Sequence, residues 1–324
     1  MNKKFERICQ MSQAALKKYV ERELKYTHND ITVGDGFVFA KGTFPVLLLA
    51  HMDTVHKHLP NVICYDPEKD RMSSPTGIGG DDRCGIYMIL DIVRRYNCSV
   101  LFCEDEEVGG IGARKFIETD LAKELEFNYA IELDRRGRND AVFYDCENDD
   151  FEDFITKEFY KTSWGSFSDI SVVAPALGCA AVNLSCGYYN AHTNEEYVVL
   201  SEMEKGIEEV CKILETTTEE DKFEYVESTY SKWYRTGYSS GSNSVYKGSS
   251  YFGSYSSSWY DDYDCDSYSN YYLIEYFDEC GKTNWFETYA VSEAEAVGRL
   301  LMWYPELCYH NVIDVMVDKP YGGK

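Results

Sequence analysis

Residues 44–56 of the chain read FPVLLLAHMDTVH, and this stretch decides the fold. The apolar run from Pro45 to Ala50 is typical of a buried β-strand. The run ends in His51, and Asp53 follows two positions later. Because buried strands of α/β sheets deliver polar ligands at their carboxyl ends, we predict that this stretch forms one wall of a metal site.

Polar residues follow other apolar segments in the same way. The candidates are Asp81 and Asp82 before a predicted helix over 84–96, Glu104 to Glu107 after a strand over 99–103, Asp134 after a strand over 128–133, and His192 in a loop after a strand over 180–185. Taken singly, each has a plainer explanation: aspartates cap helices, acidic runs are solvated loops, and lone loop histidines lie on the surface. Because strand ends in an open α/β sheet converge on one crevice, we predict that they form a metal site together.

One ligand position stays open at this point. Glu132 and Asp134 lie two residues apart on the same predicted strand. Side chains two apart face the same side of a strand, so either carboxylate is a candidate ligand.

The remaining segments continue an alternation of strands and helices. We predict an amphipathic helix over residues 1–26, a hairpin of strands 31–33 and 37–40 at the sheet edge, a strand over 141–145, a helix over 151–160 and a closing helix from Ser201. This alternation predicts one α/β domain over residues 1–217.

The C-terminal third has a different composition. Residues 218–270 are rich in Ser, Tyr and Gly and poor in aliphatic residues, so we interpret them as a flexible linker. Residues 271–324 predict a small α+β module of the order β-β-α-β, with a turn over 279–282 and a helix capped from Ser292. The linker and the module, residues 218–324, are a candidate surface for a protein partner.

The overall charge and the apolar pattern of the chain argue against nucleic-acid binding and against insertion into a membrane. The 324 residues include 56 acidic and 32 basic side chains, a formal net charge of −24, so we expect no nucleic-acid partner. No apolar stretch approaches the roughly 20 residues that span a bilayer, and the N-terminus lacks the apolar core of a signal peptide. We therefore expect no membrane insertion and a cytoplasmic location.

The 12 cysteines are scattered along the chain without a CxxC pair. We interpret most of them as reduced, buried thiols, and we expect any metal to be held by histidines and carboxylates. Cys84 falls in the first turn of the helix over 84–96, where a thiolate would be favoured, so it is a weaker candidate for a nucleophile.

Five segments together resemble the co-catalytic di-zinc exopeptidases, namely the aminopeptidase T-like, leucyl-aminopeptidase-like and glutamate carboxypeptidase-like enzymes. The segments are HMDTV from His51, GGDDRCG from Gly79, DEEVGG from Asp105, ELDRRG from Glu132 and HTNEEYV from His192. The resemblance covers residues 1–217 and implies a three-layer α/β/α domain with a mixed sheet. Only 58 positions separate Asp134 from His192, so the lid domain that many relatives insert there is absent and the chain resembles the lid-less aminopeptidases.

The resemblance also implies roles for the matched residues. It implies two divalent metal ions, with zinc suited to the ligand types: Asp81 bridges both, Glu107 and His192 complete one site, and Asp134 and His51 complete the other. Glu106 would be the general base, and Asp53 would orient His51 without binding metal. The Asp81–Asp82 peptide bond would be cis, as is usual in such enzymes.

The leading functional hypothesis is a di-zinc aminopeptidase that cleaves short peptides. Glu106 would take a proton from the attacking water and pass it to the leaving amine. Tyr188 and Tyr189, shortly before His192, are candidates for stabilising the oxyanion, and packing roles are equally open.

Two other functions are consistent with the same features. One is deacylation of N-acyl amino acids at the same metal site, with Arg135, Arg136 or Arg138 holding the substrate carboxylate. The other is an interaction protein that uses the hydrolase fold as a scaffold and binds a partner through residues 218–324.

Overall fold

The computed structural model describes residues 2–165, 167–228, 270–277, 283–290, 297, 300 and 312–318. The chain forms two compact units, Met1–Ser258 and Trp259–Lys324. Most of the predicted linker lies outside the described residues, and the division at 217 and 270 stays a prediction. At the start of the predicted linker, Phe223 and Tyr225 pack against the core of the first unit.

The helices of the first unit cover both faces of its main sheet. They are α1 (Lys3–Cys9), α2 (Gln13–Leu24), α3 (Gly80–Ile92), α4 (Ile111–Ile117), α5 (Asp120–Lys123), α6 (Asp149–Thr156), α7 (Ile170–Leu177) and α8 (Leu200–Thr216). The single helix predicted over residues 1–26 is two helices, because the Ser12 side chain accepts the N–H of Ala15 and starts α2 afresh. The sequence did not predict α7, whose β-branched residues and Pro175 have low helix propensity. No helix in the described part of the chain is long and apolar enough to span a bilayer.

The strands of the first unit form two sheets. In chain order they are β1 (Asp30–Gly34), β2 (Phe37–Lys41), β3 (Phe44–His51), β4 (Cys64–Asp66), β5 (Arg71–Ser73), β6 (Cys98–Cys103), β7 (Tyr129–Arg135), β8 (Asp140–Val142), β9 (Lys161–Ser163), β10 (Ala181–Ser185), β11 (Tyr188–Tyr189) and β12 (Tyr197–Val199). The main sheet has the order β1-β2-β6-β3-β7-β10-β8-β9, and the small sheet has the order β11-β12-β5-β4.

The main sheet is mixed, with parallel strands at its centre. Strands β6, β3, β7 and β10 run parallel, whereas the predicted β1–β2 hairpin adds antiparallel strands at one edge. The chain passes from β3 to β6 on one side and then crosses to β7 on the other. This reversal places a crevice at the carboxyl end of β3, where α/β sheets bind their ligands.

The β3 strand supplies side chains to the core on both faces of the sheet. Leu48 and Ala50 belong to the apolar cluster under α1, α2, α3 and α8. Leu47 and Leu49 belong to the cluster under α4, α5 and α7. The predicted three-layer α/β/α architecture is therefore confirmed, with β3 at its centre.

The small sheet was not predicted, because its strands are only two or three residues long and show no clear periodicity. Its inner face buries Met72, Tyr188 and Val198. Val198 packs so closely on Gly80 that a Cβ built there would lie 2.7 Å from Val198 Cγ2. The small sheet therefore holds the HTNEEYV segment directly against the turn that contains Asp81.

The described strands of the second unit are β13 (Asn270–Phe277), β14 (Thr283–Ala290) and β15 (Val312–Asp318). They form an antiparallel sheet of the order β14-β13-β15. The three strands follow the predicted chain order, and the turn predicted over 279–282 lies outside the described residues. Residues 297 and 300 are helical, and the rest of the helix predicted from Ser292 lies outside the described residues.

Candidate metal centre

The carboxyl ends of three adjacent parallel strands bring the predicted ligands together. His51 ends β3, Asp134 lies near the end of β7, and Glu106 and Glu107 follow β6. The α3 helix begins at the same edge, so Asp81 joins them. Residues far apart in the sequence thereby form one cluster.

One group of ligand atoms surrounds His51. Its Nε2 lies 3.1 Å from Asp81 Oδ1 and 3.5 Å from Asp134 Oδ1. The ligand atoms that these three residues offer all lie within 4.8 Å of one another, close enough to bind one ion. Glu132 is not in this group: its carboxylate accepts hydrogen bonds from the Ser168 hydroxyl and the Ile170 amide.

A second group of ligand atoms surrounds His192. Its Nε2 lies 3.0 Å from Glu107 Oε1 and 3.2 Å from Asp81 Oδ2. The two oxygens of Asp81 are thus divided between the two groups, with Oδ1 facing His51 and Oδ2 facing His192. Asp81 therefore contacts the histidines of both groups.

The start of α3 explains how Asp81 reaches both groups. Asp81 and Asp82 have non-helical φ and ψ angles, so the first residues of α3 form a turn and the regular helix begins after Asp82. Gly79 has a left-handed conformation with φ 67°, which residues other than glycine rarely adopt. The Asp81–Asp82 peptide bond is cis, as predicted. Asp82 Oδ1 accepts the N–H of Gly85, so the capping function expected of an aspartate pair is performed by Asp82, and Asp81 is left to face the cluster.

Asp53 lies behind the cluster and contacts three of its members. Its Oδ1 lies 3.1 Å from His51 Nδ1, on the opposite side of the ring from Asp81. Its two oxygens also accept the backbone N–H groups of Glu106 and Glu107 at 3.0 and 3.1 Å. Asp53 therefore fixes the orientation of His51 and the path of the acidic loop together.

Glu196 and its partner His56 contribute to the site, and neither of them was predicted from the sequence. Glu196 is fully buried, and its carboxylate accepts the N–H groups of Gly79 and Asp81 and contacts His56. The only sequence signal is that Glu196 belongs to the HTNEEYV segment. Nothing in the spacing distinguished it from its exposed neighbour, Glu195.

The substrate-binding candidates are placed differently from one another. The Tyr188 hydroxyl donates to Asp134 Oδ1 at 3.2 Å, so Tyr188 lies at the edge of the cluster. Tyr189 donates to Glu202 and its ring stacks on Tyr197, so it is engaged outside the cluster.

The arginines after β7 have carboxylate partners of their own. Arg135 Nε lies 3.5 Å from Asp140, and Arg138 pairs with the buried Glu209. The structure therefore does not bring Arg135 or Arg138 to the cluster as a free binder of substrate carboxylates.

The architecture matches solved structures of peptidases. The aminopeptidase PepT from Bacillus cereus superposes with a TM-score of 0.54 at 15% identity, over 65% of this chain and 96% of that one. A tripeptidase from Staphylococcus aureus gives 0.53 at 13% identity, over 65% and 95% of the two chains. An aminopeptidase from the archaeon Desulfurococcus kamchatkensis gives 0.52 at 14% identity, over 67% and 95%.

The chain has an aminopeptidase fold. The resemblance drawn from the five sequence segments is confirmed at the level of the fold. No family model matches the chain, and no curated protein matches its sequence.

Burial and crowding of carboxylates dominate the electrostatics of this aminopeptidase-fold site. Burial raises the pKa of Glu106 well above its usual range, and the charges of Asp134 and Asp169 act in the same direction. Burial, together with the charge of Asp81, raises the pKa of Asp134 to about 7. So many carboxylates can all stay ionised only if cations lie among them.

The two histidines lie among these carboxylates, which shift the pKa values of both imidazoles in the direction opposite to that of burial. Burial would lower the pKa of His192, but its hydrogen bonds to Asp81 and Glu107 outweigh this and raise the pKa to about 11. Burial would also lower the pKa of His51. The nearby carboxylates of Asp134, Asp53 and Asp81 outweigh this effect and raise the pKa well above its usual value. In return, the histidines lower the pKa of Asp81 despite its burial.

The residues present have the chemistry of zinc ligands. Imidazole nitrogens and carboxylate oxygens are the usual zinc ligands. Each of the two groups contains one histidine and two carboxylates, and Asp81 belongs to both groups. His51 also has the carboxylate partner on its second nitrogen that metal-binding histidines commonly have.

The metal-free protein should lose stability as the pH rises. The pKa of His192 is raised from 6.5 to about 11 on folding. The protonated His192 therefore contributes fully to the free energy of unfolding below pH 6.5, and this contribution is lost as the pH rises towards the pKa of the folded state. We expect the Tm of chelator-treated protein to fall between about pH 6.5 and pH 9, and to fall less steeply in His192→Gln. Saturating zinc should flatten the slope, because a bound imidazole carries no extra proton. A metal-free Tm that rose over this range would contradict the pKa shift.

Thiol chemistry at Cys84 is not supported. Cys84 is completely buried, and burial raises the pKa of its thiol well above the usual value. The nine described cysteines have free thiols and eight of them are buried, as the sequence predicted.

Proposed function

We propose that the protein is a metal-dependent aminopeptidase that hydrolyses short peptides with the help of two zinc ions. The observation that carries the proposal is the division of the Asp81 oxygens between two groups, each containing a histidine and a second carboxylate. The ligands would be Asp81 for both ions, Glu107 and His192 for one, and Asp134 and His51 for the other. The cytoplasmic location stays a prediction from the sequence.

The bound ions would supply Lewis acidity to the peptide carbonyl and to the attacking water. Glu106 follows β6 directly and offers an oxygen within 4.8 Å of the ligand atoms of His51 and Glu107. Its carboxylate would accept a proton from the water and donate it to the leaving amine. Burial raises the pKa of Glu106 above its usual range, and a raised pKa makes the carboxylate a stronger acceptor of the proton from water.

The other polar residues would orient these groups. Asp53 holds the His51 ring by Nδ1 so that Nε2 faces Asp81 and Asp134, and it holds the amides of Glu106 and Glu107. The Tyr188 hydroxyl could turn from Asp134 towards the oxyanion of the tetrahedral intermediate.

Two observations favour peptides over N-acyl amino acids as the substrates. Solved proteins with this fold include an aminopeptidase and a tripeptidase. Of the three arginines that the deacylase hypothesis offers for the substrate carboxylate, Arg135 and Arg138 are paired with carboxylates of the protein. A partner-binding role for residues 218–324 stays a prediction and would not conflict with catalysis.

Metal-depleted protein reloaded with zinc should be incubated with di- and tripeptides and with the same peptides carrying an N-acetyl group. We expect release of the N-terminal residue from the free peptides, measured by mass spectrometry, and a large decrease for the acetylated ones. Hydrolysis of N-acetyl amino acids in preference to free peptides would favour the deacylase. Full zinc occupancy without hydrolysis of either class would overturn the proposal.

A further inference from the structure

Glu196 makes a set of contacts that the proposed mechanism does not use. Its side chain is completely buried. Oε2 accepts the N–H of Gly79 at 2.7 Å and lies 2.7 Å from His56 Nε2, and Oε1 accepts the N–H of Asp81 at 3.0 Å. Both carboxylate oxygens are therefore engaged by groups from two other chain segments.

These contacts leave Glu196 little freedom. A buried carboxylate is tolerated only where hydrogen-bond donors replace the water it has lost. Here two of the three partners are backbone N–H groups in the Gly79–Asp81 turn, which cannot move without moving Asp81 itself. The position of the Glu196 carboxylate thus determines the position of the Asp81 backbone.

Glu196 also belongs to the segment that provides the second histidine. It lies four positions after His192, whose Nε2 is 3.2 Å from Asp81 Oδ2. Val198, two positions further on, packs on Gly80. The HTNEEYV segment and the Asp81 turn are therefore joined at three successive points. At one of these points Glu196 accepts a hydrogen bond from the Asp81 backbone.

Asp53 and Glu196 have complementary positions. Asp53 holds the His51 ring and the amides of Glu106 and Glu107. Glu196 holds the amide of Asp81, and through His56 it connects back to the segment that follows Asp53. Together the two carboxylates position residues of both ligand groups, although neither faces the cluster as a ligand.

We propose that Glu196 is a positioning residue of the metal centre: it fixes the Asp81 backbone relative to His192 so that both groups are preformed for binding metal. This inference rests on the proposed metal site, but not on the identity of the substrate. Its consequence is that metal affinity depends on a carboxylate that does not contact metal.

The decisive variant is Glu196→Gln. The amide keeps the size of the side chain, but its NH₂ group cannot accept a hydrogen bond, so either Gly79 or Asp81 loses its acceptor. We expect zinc to bind about 10- to 100-fold more weakly, the effect typical of residues that orient metal ligands. Zinc affinity is measured by competition with a chelator, without any peptide.

Glu195→Gln is the matched control, because it makes the same change at the neighbouring, exposed position. Its zinc affinity should stay within about twofold of wild type, since exposed substitutions have little effect. The cobalt-loaded protein gives a second readout: its visible spectrum reports ligand geometry and should change in Glu196→Gln only. A purely structural role would lower the Tm of metal-free Glu196→Gln and leave both the zinc affinity and the cobalt spectrum unchanged, which would overturn the inference.

His56→Phe keeps the inference testable if Glu196→Gln does not fold. Phenylalanine preserves an aromatic ring but removes one of the three partners of Glu196 while leaving both backbone hydrogen bonds in place. We expect a smaller loss of zinc affinity in the same direction, and an unchanged affinity would count against the inference. Because these measurements use metal alone, they separate this inference from the proposed peptidase activity.

Discussion

Glu106→Gln should lower kcat for peptide hydrolysis by about 100- to 10,000-fold, the range typical of a general acid–base residue. Glutamine is close to glutamate in size but cannot take a proton from water or return it to the leaving amine. Because Glu106 is not among the proposed ligands, zinc content and the KM for peptides should change little. The measurement is a comparison of kcat, KM and bound zinc between the variant and the wild type.

Glu104→Gln is the control for this prediction, since it makes the same change in the same acidic run. Glu104 forms an ion pair with Lys17 at 2.5 Å and belongs to none of the ligand groups found in the described residues. Its kcat should remain within about twofold of wild type, as for other substitutions outside the site. If Glu106→Gln kept a tenth or more of the activity, Glu106 would not be the general base.

Asp81→Asn should strongly weaken zinc binding at both groups, because asparagine lacks the negative charge and one of the two oxygens of aspartate. Asp81 presents Oδ1 to one histidine and Oδ2 to the other, and asparagine replaces one of these oxygens with an NH₂ group that cannot bind metal. The loss of affinity should exceed the roughly 10- to 100-fold expected for residues that only orient ligands. Elemental analysis of the protein after gel filtration measures the zinc that remains, and peptide hydrolysis should be lost in parallel.

Asp91→Asn provides the comparison within the same helix. Asp91 lies near the end of α3 and pairs with Arg95 on the surface. The zinc content of the Asp91→Asn variant should therefore equal that of the wild type. A single zinc ion retained with wild-type affinity by Asp81→Asn would show that the two groups do not share this carboxylate, and the two-ion proposal would then be wrong.

Much of the fold could be predicted from the sequence because its central strands are short, strongly apolar and followed at once by polar residues. The ends of the strand predicted over 128–133 agree with those of β7 to within two residues. The ends of the two strands of the hairpin predicted over 31–40 agree with those of β1 and β2 to within one residue. Helix ends were less accurate: the helix predicted to end at residue 96 ends at Ile92. Hydrophobic periodicity identifies an element well but marks its ends poorly, since capping contacts and not apolar spacing end a helix.

The small sheet shows what periodicity cannot detect. Strands β4, β5, β11 and β12 have two or three residues each, too few for an alternation of apolar and polar side chains to be visible. They are stabilised by pairing with one another and by burial of Met72, Tyr188 and Val198 against the main domain. These contacts exist only after the chain has folded.

The sequence by itself predicted most strands of the main sheet, namely β1, β2, β3, β6, β7, β8 and β10. It also gave the chemistry of the ligand set and the candidates His51, Asp81, Glu107, Asp134 and His192, because each lies at the end of an apolar run or in a distinctive segment. Only the tertiary structure placed Asp134 and not Glu132 beside His51, and assigned helix capping to Asp82. It also turned Glu196 inwards onto the Asp81 turn and left Glu195 in solvent. The physical reason is that a side chain's partners depend on which segments pack around it, and hydrogen bonds between residues more than a hundred positions apart leave no periodic signal in the sequence.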